Sequence, residues 1–240
     1  PFIENYRSFS DGVFSSQWRT PLYAYLGVHG LFIFVVVTFL IYRGRSYLPG
    51  FLRAIAGLPG NGGINEMFEE LTSDSGKALR LVLLASLLLA SIITLVVSGY
   101  ATVAFISLLI LSTTLLALTW LSHQEEIPYG LFALALLGMA LALGMGVEIV
   151  TVKGDIARQN TVFKFYLQAW ILLGVVTAYL LWRMDFGRSI LRRASANLAN
   201  RALGVAWMVL LLALLLSSSI YTVAGTQDRL RDRFQVLPLT

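Results

Sequence analysis

From residue 81 to residue 152 the chain carries no lysine or arginine, and most of that stretch is leucine, alanine, valine and isoleucine. A helix needs about 20 predominantly apolar residues to cross the hydrocarbon of a bilayer, and this stretch holds enough for several crossings. Backbone amides in lipid must be satisfied within their own segment or around a closed barrel, so the spans are helices or barrel strands. Barrel strands alternate apolar and polar positions over roughly ten residues. Residues 81–97 show no such alternation, which leaves helices.

Six spans can be drawn, over about residues 21–42, 81–98, 101–122, 130–148, 162–182 and 202–224. The expected fold is an all-α integral membrane protein with about six transmembrane helices. Composition agrees, since only 13% of residues are charged, against roughly 25% in an ordinary soluble domain. The net charge of +5 resides in arginines beside the spans, so it speaks of membrane topology and not of a nucleic-acid partner. There is no cysteine, which excludes disulfides, thiol catalysis and thiolate metal sites. His29 and His123 are too far apart in sequence to suggest a histidine metal cluster. No Walker loop, dinucleotide fingerprint, HExxH or nucleophile elbow occurs.

Arginine placement predicts orientation. Arg43, Arg45, Arg53, Lys77 and Arg80 follow the first span; Arg183, Arg188, Arg192, Arg193 and Arg201 follow the fifth. Both loops should be cytoplasmic. Alternation then puts residues 1–20, the polar connection 149–161 and the tail 226–240 outside, around a six-span domain over 21–225, although Arg229, Arg231 and Arg233 in the tail run against this. The inner loop 43–80 has a short apolar face between two Pro-Gly breaks that suits the headgroup plane. After it, Asn65 caps a brief helix through Leu71. The opening proline, with no signal peptide ahead of it, predicts a piece of a longer membrane protein.

Chemistry concentrates between Glu148 and Trp170. A charge carried into a transmembrane helix costs roughly 2.5–3.5 kcal/mol on insertion scales, so it has a partner or a task. Asn160, Lys164 and Gln168 recur every four residues and share one stripe of a helix. Arg158 precedes that helix, with Asn160 or Thr161 as its N-cap, and Arg158 with Lys164 could grip a phosphate at the outer surface. In the competing reading Arg158 pairs with Asp155, and Lys164 pairs with Glu148 or snorkels to the headgroups. Glu148 and Asp155 are the carboxylates available as general base or as ligands of a divalent cation. Asp155 follows Gly154 and equally suits a turn. Gly138, Gly144 and Gly146, among alanines, read as close helix packing. His29 reads as a hydrogen-bonded interhelical histidine. Tyr100, Trp120, Tyr129, Trp182 and Tyr221 near span ends read as interfacial anchors.

The segment GDIARQNTVFKFYLQAW, preceded by Glu148, resembles the signature of a family of large membrane proteins of Chloroflexi and archaea known by a YYY membrane domain. The matching positions are Glu148, Asp155, Arg158, Asn160, Thr161, Val162, Phe163, Lys164, Phe165 and Tyr166, with looser similarity in NYRSFSDGVFSSQWRTPLYAYLGVHGLFIF and IYTVAGTQDRLRDRF. The resemblance implies no established activity. By architecture it implies kinship with multi-spanning glycosyltransferases, the chain forming a C-terminal part of a glycosyltransferase-C-like fold.

The leading expectation is a glycosyltransferase-like protein acting on a polyprenyl-phosphate-linked sugar at the outer face. Arg158 and Lys164 hold the phosphate, Asn160 and Gln168 orient it, and Glu148 or Asp155 serves as base or cation ligand. The alternatives are a transporter or flippase of an anionic solute or lipid, and a scaffold in which the cluster only fastens helices together.

Overall fold

The computed structural model describes residues 13–56, 58, 64–73, 75–123, 128–152, 158–184 and 198–233. The helices are α1 (Leu22–Ala56), α2 (Ile64–Ser73), α3 (Ser75–Val97), α4 (Ala101–His123), α5 (Tyr129–Ile149), α6 (Gln159–Arg183) and α7 (Leu198–Arg233). All but the short α2 are long and apolar enough to cross a membrane, making six among the described residues. The protein is an all-α polytopic membrane protein, ornamented by two three-residue strands, β1 (Val13–Ser15) and β2 (Val150–Val152).

The centre of the bundle is α5, which packs on α6 and α4, with α1 closing over α4 and α6. Tyr25, Val36, Phe39, Ile106, Leu137 and Leu173 are all essentially sealed there. By contrast α3 buries none of its residues. On α7, Trp207 donates its indole N–H to Thr38 at 3.0 Å and stacks on Phe34. Helices that face lipid need no polar side, because lipid tails are as apolar as leucine. Their hydroxyls are satisfied locally: Ser91, Ser112 and Thr113 each donate to the carbonyl four residues back.

Three features differ from the sequence reading. The break expected at Pro49-Gly50 does not occur, and α1 runs through Pro49 to Ala56. Proline there forfeits one helical hydrogen bond. Arg53, 3% exposed, meets Glu70 of α2 at 2.7 Å, and Leu58 and Met67 form a small apolar cluster beneath it. These contacts dock α2 against the end of α1. Asn65 lies one residue inside α2, not at its cap. Trp120 is no interfacial anchor either: it is fully buried, edge-on to Phe39. Tyr129 and Trp182 are 78% and 73% exposed, as anchors are.

The strands position the site. β1 pairs antiparallel with β2 in the register Val13 to Val152, Phe14 to Thr151 and Ser15 to Val150. The Ser16 amide continues the ladder to the Ile149 carbonyl at 2.8 Å. The chain before α1 is thereby laid across the end of α5. β-Branched and aromatic residues favour this pairing, and it satisfies amides that no helix accommodates.

Candidate functional site

Glu148 occupies the last turn of α5 and is 1% exposed. A carboxylate withdrawn from water needs donors in place of its hydration shell. Four are supplied. The Thr20 amide donates to Oε2 at 2.7 Å and the Thr20 hydroxyl to Oε1 at 2.6 Å. The Tyr166 hydroxyl donates to Oε1 at 2.7 Å, and Arg158 Nη1 reaches Oε2 at 3.4 Å. Each carboxylate oxygen thus accepts two bonds, and its valence is filled from inside the protein.

Arg158 is consumed in the same clasp. Nη1 donates to the Val147 carbonyl at 3.0 Å, and Nη2 donates to the Thr20 hydroxyl at 2.6 Å. Thr20 is the hub, because its carbonyl also accepts the Thr102 hydroxyl at 2.6 Å. One threonine therefore ties the segment before α1 to α4, α5 and α6.

The backbone at Arg158 is left-handed, with φ 67°, and Arg158 is the N-cap of α6. That conformation costs an L-residue about 1–2 kcal/mol, which the buried guanidinium contacts offset. Asn160 and Thr161, expected as caps, lie inside the first turn, because α6 begins at Gln159. The competing reading pairs Lys164 with Glu148; the charge the structure sets against Glu148 is Arg158. Asp155 and Lys153 lie outside the described residues.

The remaining candidates point elsewhere. Asn160, Lys164 and Gln168 are exposed on α6, whereas Thr161, Tyr166 and Ala169 on the same helix are buried. Phe163, Leu167 and Ile171, exposed at 68%, 49% and 53%, surround the stripe. The polar stripe therefore lies on an exposed side of α6, and the buried residues of the helix face the bundle.

Deeper in the bundle, His29 is fully buried, and neither ring nitrogen has a hydrogen-bond partner among the described residues. Its ring lies 4.8 Å from that of Tyr25 and 5.0 Å from that of Tyr166. The hydrogen-bonded interhelical histidine expected from the sequence is thus an aromatic-packed one.

Beside the clasp, α5, β2 and α6 enclose a groove of about 380 Å³. Met139, Leu143, Val150 and Phe165 line it, with Thr151 and Thr161 as the polar side chains on its wall. Met139 is 56% exposed and Phe165 37%, so the groove opens sideways. The small residues of α5 divide between two tasks. A Cβ on Gly144 would meet the Tyr25 hydroxyl at 3.3 Å, which marks close packing. Ala142 and Gly146 line the groove, and a Cβ on Gly146 would meet nothing within 4 Å.

Sequence reasoning missed Thr20 and Thr102 as members of the site and met Tyr166 only as a position of the resembling motif. A threonine before Pro21 signals only a helix start. Nothing in its type announces a carboxylate 128 residues away.

Fold and site together define a polytopic membrane protein, in contact with lipid, whose buried charges clasp one end of a helical bundle. The family described as "Uncharacterized membrane protein (DUF2298)" matches residues 1–173, and the chain belongs to it. The match takes in the whole clasp and the polar stripe and stops within α6. No curated protein and no solved structure shows a match.

Proposed function

We propose that the chain is the membrane part of a glycosyltransferase-like protein that handles a polyprenyl-phosphate-linked sugar at the outer membrane face. The observation that carries this reading is the outward stripe on α6. Lys164 is exposed among lipid-facing aromatic and aliphatic residues, with Asn160 and Gln168 one turn to either side. A cation at that place, within two turns of the helix start, meets the headgroup layer, where a phosphate is its natural counter-ion.

In this reading Lys164 holds the phosphate, and Asn160 and Gln168 orient it. Arg158 supports the grip by fixing the start of α6. Glu148, saturated by four donors, serves the site by positioning Arg158; the base or cation-ligand role falls to Asp155. The acceptor hydroxyl attacks the anomeric carbon and the bond from that carbon to the phosphate oxygen breaks. The lipid phosphate leaves with the bonding electrons, and the acceptor proton passes to the carboxylate. The glycosyltransferase-C-like fold and the YYY-domain kinship belong to this proposal as analogies of architecture and motif.

The second reading is a scaffold, favoured by the sealing of Glu148 at 1% exposure. A transporter fits less well, because the stripe faces outward and not into the bundle. Native mass spectrometry of the full-length protein from its own membranes separates the first two. A co-purifying polyprenyl phosphate that is lost from Lys164→Ala supports the lipid-phosphate site. Absence of such a lipid, or equal retention by Lys164→Ala, favours the scaffold.

A further inference from the structure

We propose that the groove between α5 and α6 seats the isoprenoid tail of the lipid phosphate, a proposal that rests on the reading of Lys164 given above. The groove follows α5 from Met139 to Val147, eight residues or about 12 Å of helix, and ends under β2. A channel of that length, apolar along its floor and open along its side, suits a chain and not a compact solute. Its volume of about 380 Å³ falls in the roughly 300–1,000 Å³ range of ligand sites.

Position selects a hydrocarbon occupant. The walls belong to two membrane-crossing helices, and at that depth the surroundings are lipid. Charge then selects the kind of lipid. Thr161 and Phe165, both on the groove wall, lie three residues before and one residue after Lys164 on the exposed side of α6, so in this proposal the phosphate joined to the chain leaves the groove at the α6 end. The two polar side chains, Thr151 and Thr161, lie at this same end. The buried Thr151 hydroxyl has no hydrogen-bond partner among the described residues. The sugar would then project past the β1–β2 pair, clear of the bilayer.

Gly146 makes the idea testable. Space is open around its missing Cβ and Gly146 lines the groove, so Gly146→Leu places a side chain in the groove. Gly138, equally open but outside the groove, provides the control Gly138→Leu. Full-length protein in nanodiscs is exposed to a polyprenyl phosphate carrying a diazirine near its phosphate end, and cross-linked peptides are mapped.

Labels are expected at 139–147 and 161–165 in the wild type and in Gly138→Leu. In Gly146→Leu they should fall by about tenfold, the loss expected when a few buried chain carbons are expelled. Excess unlabelled polyprenyl phosphate should compete, and excess phosphatidylglycerol should not. Unchanged labelling in a Gly146→Leu protein that melts like the wild type overturns the proposal, as does equal competition by phosphatidylglycerol or labelling elsewhere. Should Gly146→Leu not fold, Ala142→Phe blocks the same groove. Lys164→Ala separates the two ideas. If it labels like the wild type while Gly146→Leu does not, the groove stands and the phosphate reading fails. If only Lys164→Ala loses label, the groove proposal fails alone.

Discussion

The hydroxyl of Tyr166 on α6 lies 2.7 Å from Oε1 of Glu148 on α5, joining the two helices at this end of the bundle. Thr20 and Arg158 complete the contact from the other sides. A buried carboxylate so enclosed organises the end of the bundle.

Removing Glu148 should therefore destabilise the fold before it touches any chemistry. Glu148→Ala leaves Arg158 buried without a counter-charge, and loss of one partner of a buried pair costs about 3–5 kcal/mol. Glu148→Gln should cost less, since an amide oxygen still accepts from Thr20 or Tyr166. In a double-mutant cycle with Arg158→Met, the pair of changes should cost clearly less than their sum. Unfolding in detergent by denaturant measures this, and strict additivity would show that the two side chains do not interact.

Thr20 tests the hub independently. Thr20→Val keeps the shape and deletes the hydroxyl, leaving Arg158 Nη2 and Glu148 Oε1 each short of a partner. The expected loss is about 1–3 kcal/mol. Thr20→Ser should restore most of it. If valine and serine variants melt alike, the hydroxyl is not the link.

His29→Phe should be tolerated or stabilising. Two buried ring nitrogens without partners among the described residues disappear, while the tilted contact with Tyr25 and the edge-on contact with Tyr166 are kept. Relief of one unsatisfied buried group contributes about 1–3 kcal/mol. A large drop in melting temperature would reveal a partner for His29 in the folded protein.

How much of this was legible in the sequence depends on what each residue's partners are. The spans were readable because hydrophobic length alone dictates them, and the polar stretch after Glu148 was readable because charge near lipid is rare. Which helix faces bury was not readable: α3 and α4 have similar composition, yet α3 fully buries none of its residues while α4 seals Ile106 and Trp120. In lipid both faces of a helix are apolar, so periodicity carries no signal. The partner of Glu148 stayed open in the sequence, because no spacing rule relates it to Arg158, whose left-handed backbone accompanies a guanidinium contact with Glu148. The strand pair was invisible because three-residue strands separated by most of the chain leave no pattern.

The division of small residues on α5 gives another check. Gly144→Val should destabilise, because even a Cβ presses on Tyr25 at 3.3 Å, and overpacking of this kind costs about 1–3 kcal/mol. Gly138→Val should be nearly neutral by the same melting assay. Equal effects at both positions would contradict the close approach of α1 to α5.

The most direct test of the central claim compares binding of polyprenyl phosphate with that of the uncharged polyprenol to the full-length protein in neutral nanodiscs. The phosphate should bind at least about tenfold more tightly in the wild type, a difference of about 1.4 kcal/mol. In Lys164→Ala that preference should vanish while binding of the polyprenol is unchanged. Equal Kd values for the two lipids in the wild type, or a preference that survives Lys164→Ala, would contradict a phosphate site on the α6 stripe.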